Sequence, residues 1–218
     1  MAIGAPETEG LAGTAYQSEL PDAQILRRAI RKSIYTSSEA FLKTVEEVDN
    51  CGTHYWEQEI VSATWAVIQR GEDVVGVAVA KRPDPEKDGD IDPPSTRFIE
   101  SVWIDPDLRG SHLGERLVRF LFAVECARSP DIRQFLLWVF EKNDSAIQLY
   151  RRMGFVYDTE QELPDGSGRI ERRYRYSLKS DATVMAAVTE SRQQDLDDIQ
   201  SLNYRVLGDR ETLYSSPR

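Results

Sequence analysis

The sequence predicts an α/β fold, a mixed sheet with crossover helices, and three observations carry that reading. Helical and strand periodicities follow one another in the order ααβββαβαββ. The segment Phe135 to Phe140 (FLLWVF) is continuously apolar, as a central strand covered on both faces must be. A Pro/Asp-rich stretch, PDPEKDGDIDPP, falls between periodic segments rather than inside one.

Each element has its own signal. Residues 1–19 are rich in Gly, Ala, Glu and Thr without an apolar period, and read as a flexible tail ahead of a domain over residues 20–180. From Leu20, Ile25, Ala29 and Ile30 recur at helical spacing among Arg27, Arg28, Arg31 and Lys32. A second helix is expected from Ser38 to Val48, capped by Ser37 or Ser38, with Phe41, Leu42, Val45 and Val48 on one face. Thr64 to Gln69 and Val74 to Ala80 are short β-branched runs joined by Arg70-Gly71-Glu72-Asp73, a hairpin. Arg82 to Thr96 reads as a surface loop, and Phe98 to Ile104 as a strand stopped by Asp105-Pro106-Asp107. A helix over His112 to Ala127 carries Leu113, Leu117, Leu121 and Val124 in one stripe. After the central strand comes a helix from Ser145 to Met153, ended by Gly154. Phe155 to Tyr157 opens a further strand, and Arg172 to Leu178 alternates as the last. In the polar extension over residues 181–218, Leu196, Ile199, Leu202, Val206 and Leu207 fit one amphipathic helix.

Composition narrows the function. The chain has 218 residues, 40% apolar and 29% charged, enough for one sizeable core. No apolar run approaches the roughly 20 residues of a membrane helix, so no membrane partner is expected. The N-terminus lacks the basic start and apolar core of a secretory signal, which makes the cytoplasm the expected location. Cys51 and Cys126 form no CxxC pair, so neither a zinc site nor a disulfide is expected. A net charge of −10 repels phosphate backbones, which argues against nucleic acid and suits a cationic partner. The sequence leaves a homodimer open.

The chemistry concentrates between Phe98 and Phe155. A strand runs through Asp105-Pro106-Asp107-Leu108-Arg109-Gly110-Ser111-His112-Leu113-Gly114 into a helix. Glycines there let backbone approach a ligand, and the unpaired first amides of a helix, at the positive end of its dipole, suit phosphate. The spacing fits neither GxGxxG nor GxxxxGK[ST], which argues against a dinucleotide fold and a P-loop. Further on, Asn143, Tyr150 and Gly154-Phe155 stand in NDSAIQLYRRMGF.

Together these blocks resemble the GNAT superfamily of acyl-CoA-dependent N-acetyltransferases, over about Ala63 to Leu178. That family's Q/R-x-x-G-x-G/A motif is matched by Arg109 and Gly114, with His112 in place of its first glycine; a helical φ at this point needs no glycine. Its second block, Asn, then Tyr seven residues on, then Gly-Phe, is matched by Asn143, Tyr150 and Gly154-Phe155. The resemblance implies a mostly antiparallel central sheet with splayed middle strands and helices on both faces. It implies acetyl-CoA as acyl donor and an amine as acceptor. The pantetheine arm would pair with the backbone of Val102, Trp103 and Ile104. Arg109, Gly110, Ser111, His112, Leu113, Gly114 and Glu115 would form the pyrophosphate site, and Asn143 would contact the arm. Tyr150 is the family-matched general acid. Glu100, on the strand beside the cleft, is the first candidate base, and Glu141 the other. Trp103 and Trp138 are candidate pocket walls. The alternative is a non-catalytic acyl-CoA-binding module.

Overall fold

A computed structural model describes residues 21–88, 91–178 and 202–208. Its elements run α1 (Pro21–Thr36), α2 (Val45–Asn50), α3 (Thr53–Ser62), β1 (Thr64–Arg70), β2 (Asp73–Lys81), β3 (Thr96–Ile104), α4 (Leu113–Arg128), β4 (Gln134–Phe140), α5 (Asp144–Arg152), β5 (Val156–Glu162), β6 (Ile170–Ser177) and β7 (Leu202–Val206). One seven-stranded sheet has the order β5-β6-β4-β3-β2-β1-β7, antiparallel throughout except at the β3–β4 seam. No described helix is long and apolar enough to cross a membrane.

Helices cover both faces, which is why Thr64 to Ile68 of β1 and Val74 to Ala80 of β2 are buried without a break. On one face Ala66, Ile68, Ala78, Ala80 and Ile99 pack with Leu113, Leu117 and Leu121 of α4 and with Ile147 and Tyr150 of α5. On the other, Trp65, Val67, Val77, Val79 and Trp103 pack with Leu26, Ala29, Ile30 and Ile34 of α1, Val48 of α2, and Trp56 and Ile60 of α3. Each such burial contributes about 1.5–3 kcal/mol for a Val, Leu or Ile. Lys32 also ties α1 to the sheet, through Asp73 (3.0 Å) and Asp105 (2.9 Å).

Two helical expectations need correction. The helix expected over Ser38 to Val48 is broken. A 3₁₀ turn (Ser38–Ala40) gives way to extended backbone at Phe41, and α2 begins only after Thr44. Thr44 and Glu47 form a reciprocal capping box that fixes this start. A helix not expected from the sequence, α3, follows with Gly52 as N-cap. In the C-terminal extension, Leu202 to Val206 do not join a helix. They form β7, antiparallel to β1 from Arg70↔Leu202 to Ala66↔Val206. The outer edge of β1 would otherwise be left unpaired. Asp22 of α1 secures this strand by accepting from Arg205 and from the Gly208 amide (2.8 Å). Leu196, Ile199 and the tail over residues 1–19 lie outside the described residues.

Candidate active site

The site begins where the sheet comes apart. Strands β3 and β4 pair in parallel only at Thr96↔Gln134, Arg97↔Phe135 and Phe98↔Leu136. Beyond Phe98, β3 stays with β2 while β4 stays with β6, so the two central strands diverge. The local cause is a bulge on β3. Glu100 pairs with Val79 and Trp103 with Val77, which leaves Ser101 and Val102 opposite the single residue between. Ser101 takes up the extra length with φ +52°, in the left-handed region. Such a bulge bends its strand and increases its twist.

The opened seam is the floor of a cleft of about 390 Å³. It gathers Glu100 and Val102 from β3, Trp138 and Phe140 from β4, and Asn143 and Tyr150 from the β4–α5 unit. Phe41 and Leu42 of the broken N-terminal segment, Tyr55 and Trp56 of α3, Lys81 of β2 and Glu171 of β6 complete the walls.

Tyr150 is buried and stacks edge-on against Phe155, 5.6 Å between centroids. Burial alone pushes its phenol far above the ordinary tyrosine value, so it stays protonated throughout the physiological range. Its hydroxyl finds no hydrogen-bond partner among the described residues. Asn143 caps α5: its Oδ1 accepts from the Ala146 amide (3.2 Å) and from Ser145 Oγ (3.1 Å). That leaves its NH₂ for a ligand. Glu100 is half-exposed at the rim and pairs with Lys81 at 3.4 Å. Lys81 also reaches Glu59 at 3.6 Å.

The expected phosphate loop sits at the mouth of the splay. A Cβ on Gly114 would lie 3.2 Å from the Leu149 side chain and 3.7 Å from that of Ile104, so α4 starts wedged between α5 and the end of β3. Among the described residues Arg116 is the first amide of this helix to find a carbonyl, that of His112 at 3.1 Å. The amides of Leu113, Gly114 and Glu115 are left for a ligand, as a helix start provides. His112 corrects the expectation of a helical φ. It is the N-cap, not the first helical residue, and has φ +61°. This is the conformation that favours glycine. Its side chain is exposed and makes no cap bond. Gly110, with φ +81°, makes the turn before it.

Other expected residues are spread around this core. Leu113 is buried, so only its amide is available, and Glu115 is paired to Arg119 at 2.8 Å. The Ser111 hydroxyl turns back to the Leu108 carbonyl. Arg109 folds away from the loop, donating to Ser37 Oγ (2.6 Å) and to the Ile104 carbonyl (3.3 Å). Trp103 does not wall the cleft. The bulge turns it into the helical core, where its Nε1 donates to Thr36 Oγ1 at 3.0 Å. Trp138 does line the cleft, under the Arg173 guanidinium. Glu141 lies in a second cavity and pairs with Arg172 at 3.4 Å. Cys51 and Cys126 are free thiols, and burial pushes Cys126 up, away from reactivity. No group of potential metal ligands gathers among the described residues. Sequence reasoning missed Glu171, which falls just before the expected last strand, Arg172 to Leu178, whereas β6 begins at Ile170.

Comparison with known proteins agrees with this geometry. Residues 30–155 match the model of the acetyltransferase (GNAT) family. An uncharacterized N-acetyltransferase of Methanocaldococcus jannaschii is 36% identical over 75 residues, which cover 34% of this chain and 31% of that relative's length. Among solved structures, yncA of Salmonella typhimurium with its cofactor acetyl-CoA superposes with TM-score 0.56 at 17% identity, over 76% of this chain and 94% of the other. RimL, a ribosomal L7/L12 α-N-protein acetyltransferase in complex with coenzyme A, gives 0.56 at 15%, over 75% and 93%. A ribosomal-protein-alanine N-acetyltransferase of Brucella melitensis gives 0.55 at 19%, over 74% and 98%. The matched family model spans more than half of the chain, and the protein therefore belongs to the GNAT family of acetyltransferases.

Proposed function

We propose that this protein is an N-acetyltransferase that moves the acetyl group of acetyl-CoA to a primary amine of a small molecule or peptide, by direct attack on the thioester. The observation that carries the reading is the splayed β3–β4 seam, with the hydroxyl of a buried tyrosine beside it and free helix-start amides at its mouth. The residues fit an acyl-CoA. The free edge of β3 at Val102 to Ile104 offers main-chain bonds to an extended, amide-bearing arm, although the Ile104 carbonyl already accepts from Arg109. The amides from Gly110 to Glu115 suit a pyrophosphate, and the Asn143 NH₂ suits a carbonyl of the arm.

Acetyl-CoA supplies the activated acyl group. The chain has to orient it, exclude water and move protons. An alkyl amine with a pKa near 10.4 is neutral in only about one molecule in 10³ to 10⁴ at neutral pH, so a base beside the acceptor is required. The departing sulfur needs a proton, and Tyr150 holds one. Desolvation raises the proton affinity of any thiolate formed in the same pocket, so the raised phenol is still matched to its task.

The test is CoA release from acetyl-CoA against aminoglycosides, polyamines, amino acids and short basic peptides, with a no-amine blank. Turnover with one class establishes the transferase and identifies the acceptor. Acetyl-CoA binding without turnover on any amine would favour the non-catalytic module.

A further inference from the structure

Three carboxylates line the cleft: Glu59 of α3, Glu100 of β3 and Glu171 of β6. They are not equivalent. The ammonium of Lys81 holds both Glu59 (3.6 Å) and Glu100 (3.4 Å), so a proton delivered to either meets a neighbouring positive charge. Glu171 forms no ion pair among the described residues, and its one hydrogen bond is a long one from Gln161 Nε2 at 3.5 Å. It is half-buried beside Phe140, its cross-strand partner, on the same side of the sheet as Trp138. The guanidiniums of Arg169 and Arg173 lie over Phe140 and Trp138, and an acceptor ammonium entering between these rings and Tyr150 meets Glu171 as the cleft carboxylate that no ion pair among the described residues engages.

We propose that Glu171, rather than Glu100, is the catalytic base, and that it first binds the acceptor as a cation and then removes its proton. The proposal rests on the transferase reading above. The protons balance as follows. The Glu171 carboxylate takes one proton from R–NH₃⁺ and becomes the neutral acid. The freed nitrogen lone pair forms the C–N bond to the acetyl carbon, and the C–S bond breaks with its electron pair on sulfur. Tyr150 gives its proton to that sulfur and recovers one from the new amide nitrogen. Glu171 then releases its proton to solvent.

The surroundings of Glu171 fit the role. Burial is the largest influence on its carboxyl and raises it above the ordinary range, and Glu100 and Asp165 push the same way. The Gln161 hydrogen bond and the positive charge of Arg169 oppose them. A base must be ionised to act, so a raised carboxyl moves the acidic limb of the rate profile up in pH, towards neutrality.

The experiment compares kcat/KM of the full-length wild type, Glu171→Gln and Glu171→Asp from pH 6 to 10, on whichever amine the panel identifies. Acetyl-CoA binding is measured alongside by calorimetry. Glu171→Gln should lose at least about 10²-fold at pH 7, the usual worth of a general base. The deficit should shrink to within about tenfold by pH 10, where roughly a third of the amine is already neutral without help from a base. Glu171→Asp, which keeps a carboxylate, should retain more activity than the amide. A deficit of under threefold at pH 7, or one equal at all pH values, overturns the assignment while wild-type turnover leaves the transferase reading standing. A wild type silent on every amine overturns both. Unchanged acetyl-CoA affinity in the variants separates loss of the base from loss of the fold.

Discussion

The two ends of the β3–β4 seam are built for opposite purposes. At the closed end three residue pairs zip the strands together, and below them Arg97 and Glu125 form a buried ion pair at 2.6 Å, both almost fully shielded from solvent. That pair is fully partnered. Arg97 also donates to the carbonyls of Thr96 (2.7 Å) and Pro93 (3.1 Å) and to Ser129 Oγ (3.1 Å), while Glu125 accepts from Thr64. The network joins β1, β3, α4 and the loop before β3 at one point. At the open end, polar groups beside the seam go short of partners among the described residues: the Tyr150 hydroxyl and the first amides of α4 have none, and Glu171 has one long hydrogen bond and no ion pair. The closed end gives its polar groups partners within the fold, and the open end leaves its polar groups free to meet a ligand. Removing a side chain should therefore cost stability at one end and catalysis at the other.

The largest expected effect is at the closed end. Arg97→Met keeps the length of the side chain but leaves Glu125 buried beside an apolar neighbour. Breaking one half of such a pair costs about 3–5 kcal/mol, or roughly 10 °C in a domain of this size. Thermal unfolding measures it. Adding Glu125→Leu should recover most of the loss, because the penalty lies in the stranded charge rather than in the missing attraction. Failure of the double variant to recover would mean that the Thr64 and Ser129 bonds, not the charge pair, hold this end together.

At the open end the balance should reverse. Tyr150→Phe removes a hydroxyl that bonds to nothing among the described residues, so melting should move by no more than a degree or two. Turnover should fall by about 10² or more if Tyr150 supplies the proton, with acetyl-CoA binding nearly intact. Equal losses of stability and activity would place Tyr150 with the packing residues, and full activity would dismiss it as the acid.

The same contrast explains what the sequence could tell. β3, α4, β4 and α5 were legible because each combines a strong period with clear punctuation: Asp105-Pro106 after β3, Gly154 after α5. Tyr150 and Asn143 were legible as a spaced motif, and they do share a cleft. Features set by tertiary contacts were not. The bulge at Ser101 leaves no mark in FIESVWI, so the turning of Trp103 into the core could not be foreseen. The break at Phe41 follows from a cap at Thr44 that competes with a good apolar stripe. β7 carries an ambiguous signal: Leu202, Tyr204 and Val206 alternate, and only the free edge of β1 decides between strand and helix. Glu171 sits in a charged run whose exposed look is corrected only by the strands and loop around it.

The smallest effect tests where the ligand is held. His112 adopts a left-handed φ of +61° with no side-chain bond to compensate. For a non-glycine residue this costs about 1–2 kcal/mol, of which glycine's greater chain entropy returns roughly half to 1 kcal/mol when it is substituted. His112→Gly should therefore raise stability by about 0.5–1 kcal/mol, a shift of a few degrees at most. If main-chain amides do the holding, as the free donors of Leu113, Gly114 and Glu115 imply, KM for acetyl-CoA should change by less than about threefold, since the imidazole is not one of the donors. A tenfold rise in KM with unchanged kcat would instead make His112 a phosphate ligand whose uniform binding has been removed. The strained backbone would then be a conformation retained for binding rather than one tolerated at a turn.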